Sequence, residues 1–439
     1  MTSAAAPSAA ELEDQYRSWL QATLSPDGRA FMEKRRAFVN VNKLKEAASE
    51  ALRDTCTGVY FVGQGGFNLI YILTFEHVPH VVARVNGAYH EQDKEQTDEL
   101  VAHRISSEAA TLGYVRRHTT IPVAKVFAVQ TDPRNPVNAR YTLQERIFGR
   151  SLLDIWHTLT APQRTAVISQ IAQIESKLHQ TRFPAIGSLR KQADGEISVG
   201  PLGLSCTHAY HLRRDRGPWT SSMDWLRAYT VAELDLLESA PDEWAALRRR
   251  ARLHNGDAET GAEPCTHLAY FRTYFRLLLD ALDTLAAVLP KEEYDPPQMP
   301  FVLFHEDLSM SNIMVAYDDP ARVVGVVDWE GACVVPLWAC FGEDHLLDAD
   351  DDDDAVVSLR LARDRIHEEM EPKVTKAKAP RFPLHHLYFV VSSWGSMAWS
   401  IETSWDCVRT MLAQCPEKYA LPFGKLLQFI DSCQIHALG

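Results

Sequence analysis

A chain of 439 residues is long enough for two or three domains and a substantial hydrophobic core. Its 46% apolar and 23% charged residues are the proportions of an ordinary soluble globular protein. A formal charge of −13 argues against a nucleic-acid partner, because binding a phosphate backbone needs clustered cations.

The cysteines include no C-x-x-C pair, so the sequence suggests neither a zinc site nor a disulfide framework, and reduced thiols in the cytosol fit best. The start, MTSAAAPSAAELEDQYRSWL, lacks the basic opening and apolar core of a secretory signal. No apolar run reaches the ~18–20 residues of a membrane span. The expectation is a cytoplasmic protein with no membrane partner.

In chain order, residues 1–10 are small, polar and proline-containing, which predicts disorder. Glu11–Leu24 and Phe31–Ala51 have helical spacing and predict an N-terminal helical extension, with a domain boundary near residue 52. Val59–Phe75, VYFVGQGGFNLIYILTF, reads as strand, glycine turn, strand. Gly63, Gly65 and Gly66 would let the backbone approach phosphates closely with its N–H groups turned inward. The pattern G-x-x-x-x-G-K-[ST] is absent, which argues against a P-loop enzyme. A strand over His80–Val85 follows, and because no lysine lies between Lys45 and Lys94, Arg84 is its only cation.

Asp98–Arg117 reads as a long helix, broken before Ile121-Pro122, and Tyr141–Ile147 as another strand. Thr160–Gln180 is an amphipathic helix with Pro162 near its start, a favourable place for proline. Phe183–Gly217 is rich in loop signals. Ser221–Ser239, Asp242–Leu253 and His267–Leu289 look helical, around a Gly- and acid-rich break at His254–Pro264.

The chemistry concentrates in Phe301–Glu330, FVLFHEDLSMSNIMVAYDDPARVVGVVDWE. Phe301–Phe304, Ile313–Ala316 and Val323–Val327 read as short strands, and the reactive groups sit in their connections. His305, Asp307 and Asn312 follow the first strand, and Asp328 follows the last. This is the order H-x-D-x-x-x-x-N … D of a kinase catalytic loop with its metal-binding aspartate. A hydroxyl nucleophile must lose its proton to a carboxylate, a role open to Asp307. Magnesium prefers hard oxygen ligands, which Asn312 and Asp328 can supply against the charge of a triphosphate. Asp and Asn also cap turns, but capping does not explain the ordered set flanked by strands.

HEDLSMSNIMV, VVGVVDWE and the following VVPLWAC resemble the aminoglycoside phosphotransferase (APH) family of kinase-like enzymes, especially its fungal-type members, from about Val59 to about Leu347. The resemblance implies an α+β, two-lobed protein-kinase-like fold with a small β-rich N-lobe and a large helical C-lobe. It implies transfer of the γ-phosphoryl of ATP or GTP to a small-molecule acceptor, with Mg2+ as cofactor. The N-lobe, residues 53–147, would bind nucleotide; residues 148–439 would form the C-lobe, with an acceptor-binding helical insertion over about 183–290.

The same resemblance implies roles along the N-lobe. Gly63, Gly65 and Gly66, followed by Asn68, would form the phosphate loop. Arg84 would stand where kinases place a lysine on the α- and β-phosphates, a swap that keeps charge and changes geometry. Glu108 would be the helix glutamate that pairs with the strand cation. The backbone of Gln144, Glu145 and Ile147 would bond the adenine edge. His208, His211, Asp215, Trp219 and Trp225 lie in the implied acceptor region, and packing of a folded loop explains them equally well.

After Glu330 the chain departs from protein kinases: DWE replaces D-F-G, no A-P-E follows, and Ser309 stands where a lysine is usual. These departures favour a small-molecule acceptor. Trp329 is expected in the core, and Glu330 either orients an acceptor amine or caps. Asp348 and Asp350–Asp354 read as a solvated acidic run, and Ala355–Glu371 and Leu384–Thr403 as C-lobe helices. A non-catalytic pseudokinase or interaction module is the alternative, supported by Arg84 and opposed by retention of Asp307, Asn312 and Asp328.

Overall fold

A computed structural model describes residues 7–65, 67–86, 98–203, 215–246, 268–341, 346–347, 354–378, 384, 409 and 420–437. Three helices open the chain: α1 (Ala9–Thr23), α2 (Pro26–Ala37) and α3 (Val41–Leu52). The helix expected over Phe31–Ala51 is therefore two helices. The side chain of Asn40 accepts from Lys43 N–H at 3.1 Å and starts a new helix where the apolar spacing runs on. Ala9 and Ala10, expected to be disordered, are helical because Ser8 and Glu11 form a capping box around the first turn. The expectation for residues 1–6 lies outside the described residues.

These helices lean on an antiparallel five-stranded sheet of β1 (Cys56–Gln64), β2 (Asn68–Phe75), β3 (Val81–Asn86), β4 (Val126–Gln130) and β5 (Arg140–Glu145). Its order is β1-β2-β3-β5-β4. Leu69, Tyr71, Leu73, Val81, Ala83, Val85 and Leu143 are buried in one small core with Leu44 and Ala48 of α3. Tyr16 of α1 meets Phe61 of β1 edge to face at 5.3 Å. The helical extension thus covers the sheet instead of standing apart from it. α4 (Asp98–His118) precedes β4 and packs on β4 and β5.

A second, larger core spans the rest of the chain and holds Trp225, Trp244, Trp329, Trp338, Tyr274 and Phe275 with under 2% exposure each. The two cores give the α+β, two-lobed fold expected, and the chain crosses from the sheet to the larger lobe after β5. The crossing runs from β5 through Ile147 to β6 (Arg150–Ser151), which pairs with β10 (Ile313–Val315). At the crossing, the side chain of Ile147 lies over Gly325, where an added Cβ would meet its Cδ1 at 2.5 Å. In the larger lobe the short α5 (Leu152–Ile155) is followed by α6 (Ala161–His179) and α7 (Ser222–Ser239), and these last two match their expected spans closely. The stretch Phe183–Gly217, read as loop, carries a hairpin of β7 (Ser188–Lys191) and β8 (Ile197–Gly200).

Two further pairs place the chemistry. β9 (Phe301–Phe304) runs antiparallel to β12 (Cys333–Pro336), with Phe304 opposite Cys333. β10 runs antiparallel to β11 (Val323–Val326), with Ile313 opposite Val326. Residues 305–312 and 327–332 therefore leave their strands at the same end and must meet. No helix among the described residues is long and apolar enough to cross a membrane.

Candidate active site

The meeting of the two loops is held by backbone and imidazole. Val327 N–H donates to Asn312 C=O at 2.9 Å. His305 Nε2 lies 3.0 Å from Val327 C=O, and since a carbonyl only accepts, that nitrogen carries the proton. Burial pushes the His305 imidazolium down in pKa, so the ring is the neutral form that fits this bond. Trp329 stacks edge-on to His305 at 4.5 Å and donates Nε1–H to Val326 C=O at 3.0 Å. It is a core residue, as expected. Glu306 and Asp328, one in each loop, take left-handed backbone conformations with φ near 65°. Non-glycine residues rarely adopt that region, and such strain clusters at functional sites.

Within this frame Asn312 Nδ2 donates to both Asp307 C=O and Asp307 Oδ2, at 2.8 and 2.9 Å. The amide oxygen of Asn312 is left facing away from that contact. Asp307 is solvent-exposed, while Asn312 is buried.

Above the loops, Arg84 projects from β3 into a cluster of carboxylates. Its Nη2 donates to Asp328 Oδ1 at 2.7 Å, and Glu330 Oε2 lies 3.7 Å away. Its Nε lies 3.5 Å from Glu108 Oε1 of α4. Burial alone would lower the Arg84 pKa, but the three carboxylates outweigh it and hold the guanidinium charged. Glu108 is 5% exposed, and burial raises its carboxyl pKa against the pull of Arg84. Glu330 is pushed up to about 7, by burial first and then by the charge of Asp328.

Glu330 neither caps a helix nor stands free. It accepts Asn68 Nδ2 at 3.1 Å, which links the strand after the glycine turn to the Asp328 loop. In that turn Gly65 N–H donates to Asn68 C=O at 2.8 Å, and the space a Cβ would take at Gly65 is open. Gly63 has only Ile70 near its Cβ position, at 3.9 Å. Gly66 lies outside the described residues.

The structure corrects one expectation at the crossing between lobes. Gln144 is flanked by Val82 on one side and Val126 on the other, inside the sheet. Glu145 N–H donates to Lys125 C=O at 2.8 Å. These two residues are committed to the sheet because β5 is an interior strand, and Ile147, beyond the strand end, is the first position outside the ladder. The Gln144 side chain instead bonds Thr142 Oγ1 at 3.1 Å and reaches Glu108.

Among the acceptor-region residues, Trp219 and Trp225 are buried in the large core, and Trp219 Nε1 donates to Asp215 Oδ2 at 3.2 Å. Packing accounts for all three. His208, His211 and the acidic run from Asp348 to Asp353 lie outside the described residues. Sequence reading missed Arg104, one helical turn before Glu108 on the same face of α4 and 3% exposed. Its i, i+4 spacing from Glu108 is the signal that could have found it.

A family model for the phosphotransferase enzyme family, APH, matches residues 59–342. A subtelomeric hrmA-associated cluster protein of Aspergillus fumigatus is 29% identical over 322 residues, 65% of this chain and 59% of that protein. The mitochondrial "altered inheritance of mitochondria protein 9" of Saccharomyces cerevisiae is 27% identical over 289 residues, 55% of this chain and 43% of that one. The chain thus spans about half the length of these curated relatives. A crystal structure described as a putative aminoglycoside phosphotransferase from Ralstonia eutropha superposes with a TM-score of 0.46 at 12% identity, over 90% of this chain and 99% of that one.

Proposed function

This chain belongs to the APH phosphotransferase enzyme family, and from that premise we propose that it moves the γ-phosphoryl of ATP or GTP to a hydroxyl of a small molecule. The observation that carries the reading is the Asn312–Asp307 contact beside the Asp328 loop. Asn312 spends its amide N–H groups on Asp307, so its oxygen is the atom available to a cation. Together with the Asp328 carboxylate this is a pair of hard oxygen donors, which suits Mg2+. When bound there, Mg2+ would neutralise phosphate charge and orient the nucleotide.

The chain's own residues do the remaining work. Asp307 is exposed and keeps one carboxylate oxygen clear of Asn312, so it can accept the proton of the attacking hydroxyl. Asn312 fixes that residue from one nitrogen, through one hydrogen bond to its carboxylate and one to its backbone carbonyl. Neutral His305 ties the two loops together through Val327 without adding charge. Arg84 supplies the cation at the nucleotide phosphates, positioned by Glu108. The turn of Gly63, Gly65 and Gly66 is the part proposed to approach the phosphates; at Gly63 and Gly65 no side chain obstructs it, although the Gly65 N–H is spent on Asn68 C=O, and the backbone near Ile147 takes the adenine edge. The segment of about 183–290 is the region proposed to bind the acceptor. Free thiols at Cys56, Cys333 and Cys340 suit a reducing compartment such as the cytosol.

One observation favours a second reading, a non-catalytic pseudokinase. Arg84 already donates to Asp328, the carboxylate assigned to the metal, and arginine is not an interchangeable substitute for lysine. A screen of small-molecule alcohols with labelled ATP and Mg2+, read as phosphate mass added to the acceptor, separates the two. Transfer to any hydroxyl supports the enzyme. Tight nucleotide binding with no transfer across the screen supports the pseudokinase.

A further inference from the structure

The Arg104 guanidinium is a charged group of this cleft that the proposed chemistry does not use. It is 3% exposed, and its Nε and Nη2 are buried with no hydrogen-bond partner among the described residues. Those two nitrogens lie on the same edge of the guanidinium, the edge that offers two parallel N–H groups to a carboxylate or phosphate. Burying charged donors without acceptors is costly, so an empty bidentate edge in the interior points to a ligand. The carboxylates nearby, Glu108 and Glu330, act on Arg104 through charge, yet neither accepts from that edge. Phe67 lies across the face of the guanidinium, with Cζ 4.3 Å from the ring centroid. Phe67 sits in the turn between β1 and β2, immediately before Asn68, so the ring fixes Arg104 beneath the glycine turn and leaves its edge open. Arg84, by contrast, is already engaged by Asp328.

We propose that Arg104 is a phosphate-binding residue, a second arginine that grips the nucleotide phosphates bidentately from α4 while Phe67 holds its plane. The proposal rests on the nucleotide reading above and adds a residue to it. It also answers the charge problem of the cleft: Glu108, Asp328 and Glu330 repel a triphosphate, and Arg84 is shared among all three.

The test is calorimetric titration of the full chain with adenosine, ADP and ATP in Mg2+ buffer, for wild type, Arg104→Gln, Arg104→Lys and Phe67→Leu. Charged hydrogen bonds of this kind correspond to about ten- to a hundredfold in affinity. Arg104→Gln should weaken ADP and ATP by that factor and leave adenosine unchanged. Arg104→Lys, which keeps the charge and loses the fork, should recover only part. Phe67→Leu, which keeps the arginine whole, should weaken the phosphorylated ligands in the same direction. If Arg104→Gln lowers adenosine and ATP equally, or lowers neither, Arg104 is structural and the proposal falls while nucleotide binding stands. Should Arg104→Gln fail to fold, Arg104→Lys and Phe67→Leu decide by the same comparison. A wild-type chain that binds no phosphorylated ligand overturns both readings together.

Discussion

Removing the Arg84 side chain tests how the cleft balances its charges. Arg84→Ala strands Glu108, Asp328 and Glu330, whose oxygens lie 3.5, 2.7 and 3.7 Å from the guanidinium. Breaking a buried ion pair by deleting one partner costs about 3–5 kcal/mol. Asp328 is 35% exposed at its side chain, so water screens part of the loss and places it at the lower end, about 3 kcal/mol. Glu108→Ala leaves Arg84 two other carboxylates and should cost about 1–2 kcal/mol, the scale of one charged contact. With Glu108 gone, Arg84→Ala strands less charge, so the double variant should fall short of the sum by about 1–2 kcal/mol. Urea unfolding at pH 7.5, followed by two independent probes, measures the cycle. Repeating it at pH 5.5 should shrink the Arg84→Ala cost, because stranded carboxyls of raised pKa take up protons there. Strict additivity, or a cost indifferent to pH, would refute the ion-pair account. Nucleotide affinities from the same variants should be non-additive in the same sense.

Glu330 has a folded pKa near 7 against an ordinary 4.5, so its contribution to stability is full below about 4.5 and is lost as pH rises through about 7. The melting temperature should therefore drop between pH 6 and 8 in the wild type and drop less in Glu330→Gln, as followed by calorimetry. Gly325→Ala would drive a Cβ to 2.5 Å from Ile147 Cδ1, and the overpacking should destabilise by about 1–3 kcal/mol in urea titrations. Asp328→Ala should abolish Mg2+-dependent nucleotide affinity; unchanged Mg·ATP binding by calorimetry would remove Asp328 from the metal site.

Much of the site was legible because its parts are local. Asp307, Asn312 and Asp328 sit within one segment whose short strands leave few ways to arrange the loops, and the register of β10 on β11 brings the two loops to one end. Arg84 and Glu108 were legible through their places on a strand and the following helix. The contacts of Arg84 with Asp328 and of Asn68 with Glu330 were not. They join residues more than 240 positions apart across the cleft, and no local periodicity encodes them. The acidic character of Glu330 was visible, but its partner was not. Interior pairing of β5 was likewise hidden, since strand order is set by the whole sheet, and with it the engagement of Gln144 and the Glu145 N–H inside the ladder. Some misses had a local signal that was outvoted. Asn40 is a strong helix start inside a continuous apolar spacing, and the dipeptide Asp194-Gly195 marks the turn of the β7–β8 hairpin, where Gly195 has φ of 90°.

Asp307→Asn bears most directly on the central claim. The substitution keeps size and hydrogen-bonding capacity and removes the carboxylate that would accept the proton, while Arg84, Asn312 and Asp328 stay in place. With an acceptor in hand from the screen, transfer should fall by at least about a hundredfold, the lower end of what a general base contributes. The thermal shift produced by Mg·ATP should stay within error of the wild type. Transfer at the wild-type rate would contradict the assignment of Asp307 as the base, and so would a rate loss matched by an equal loss of nucleotide binding.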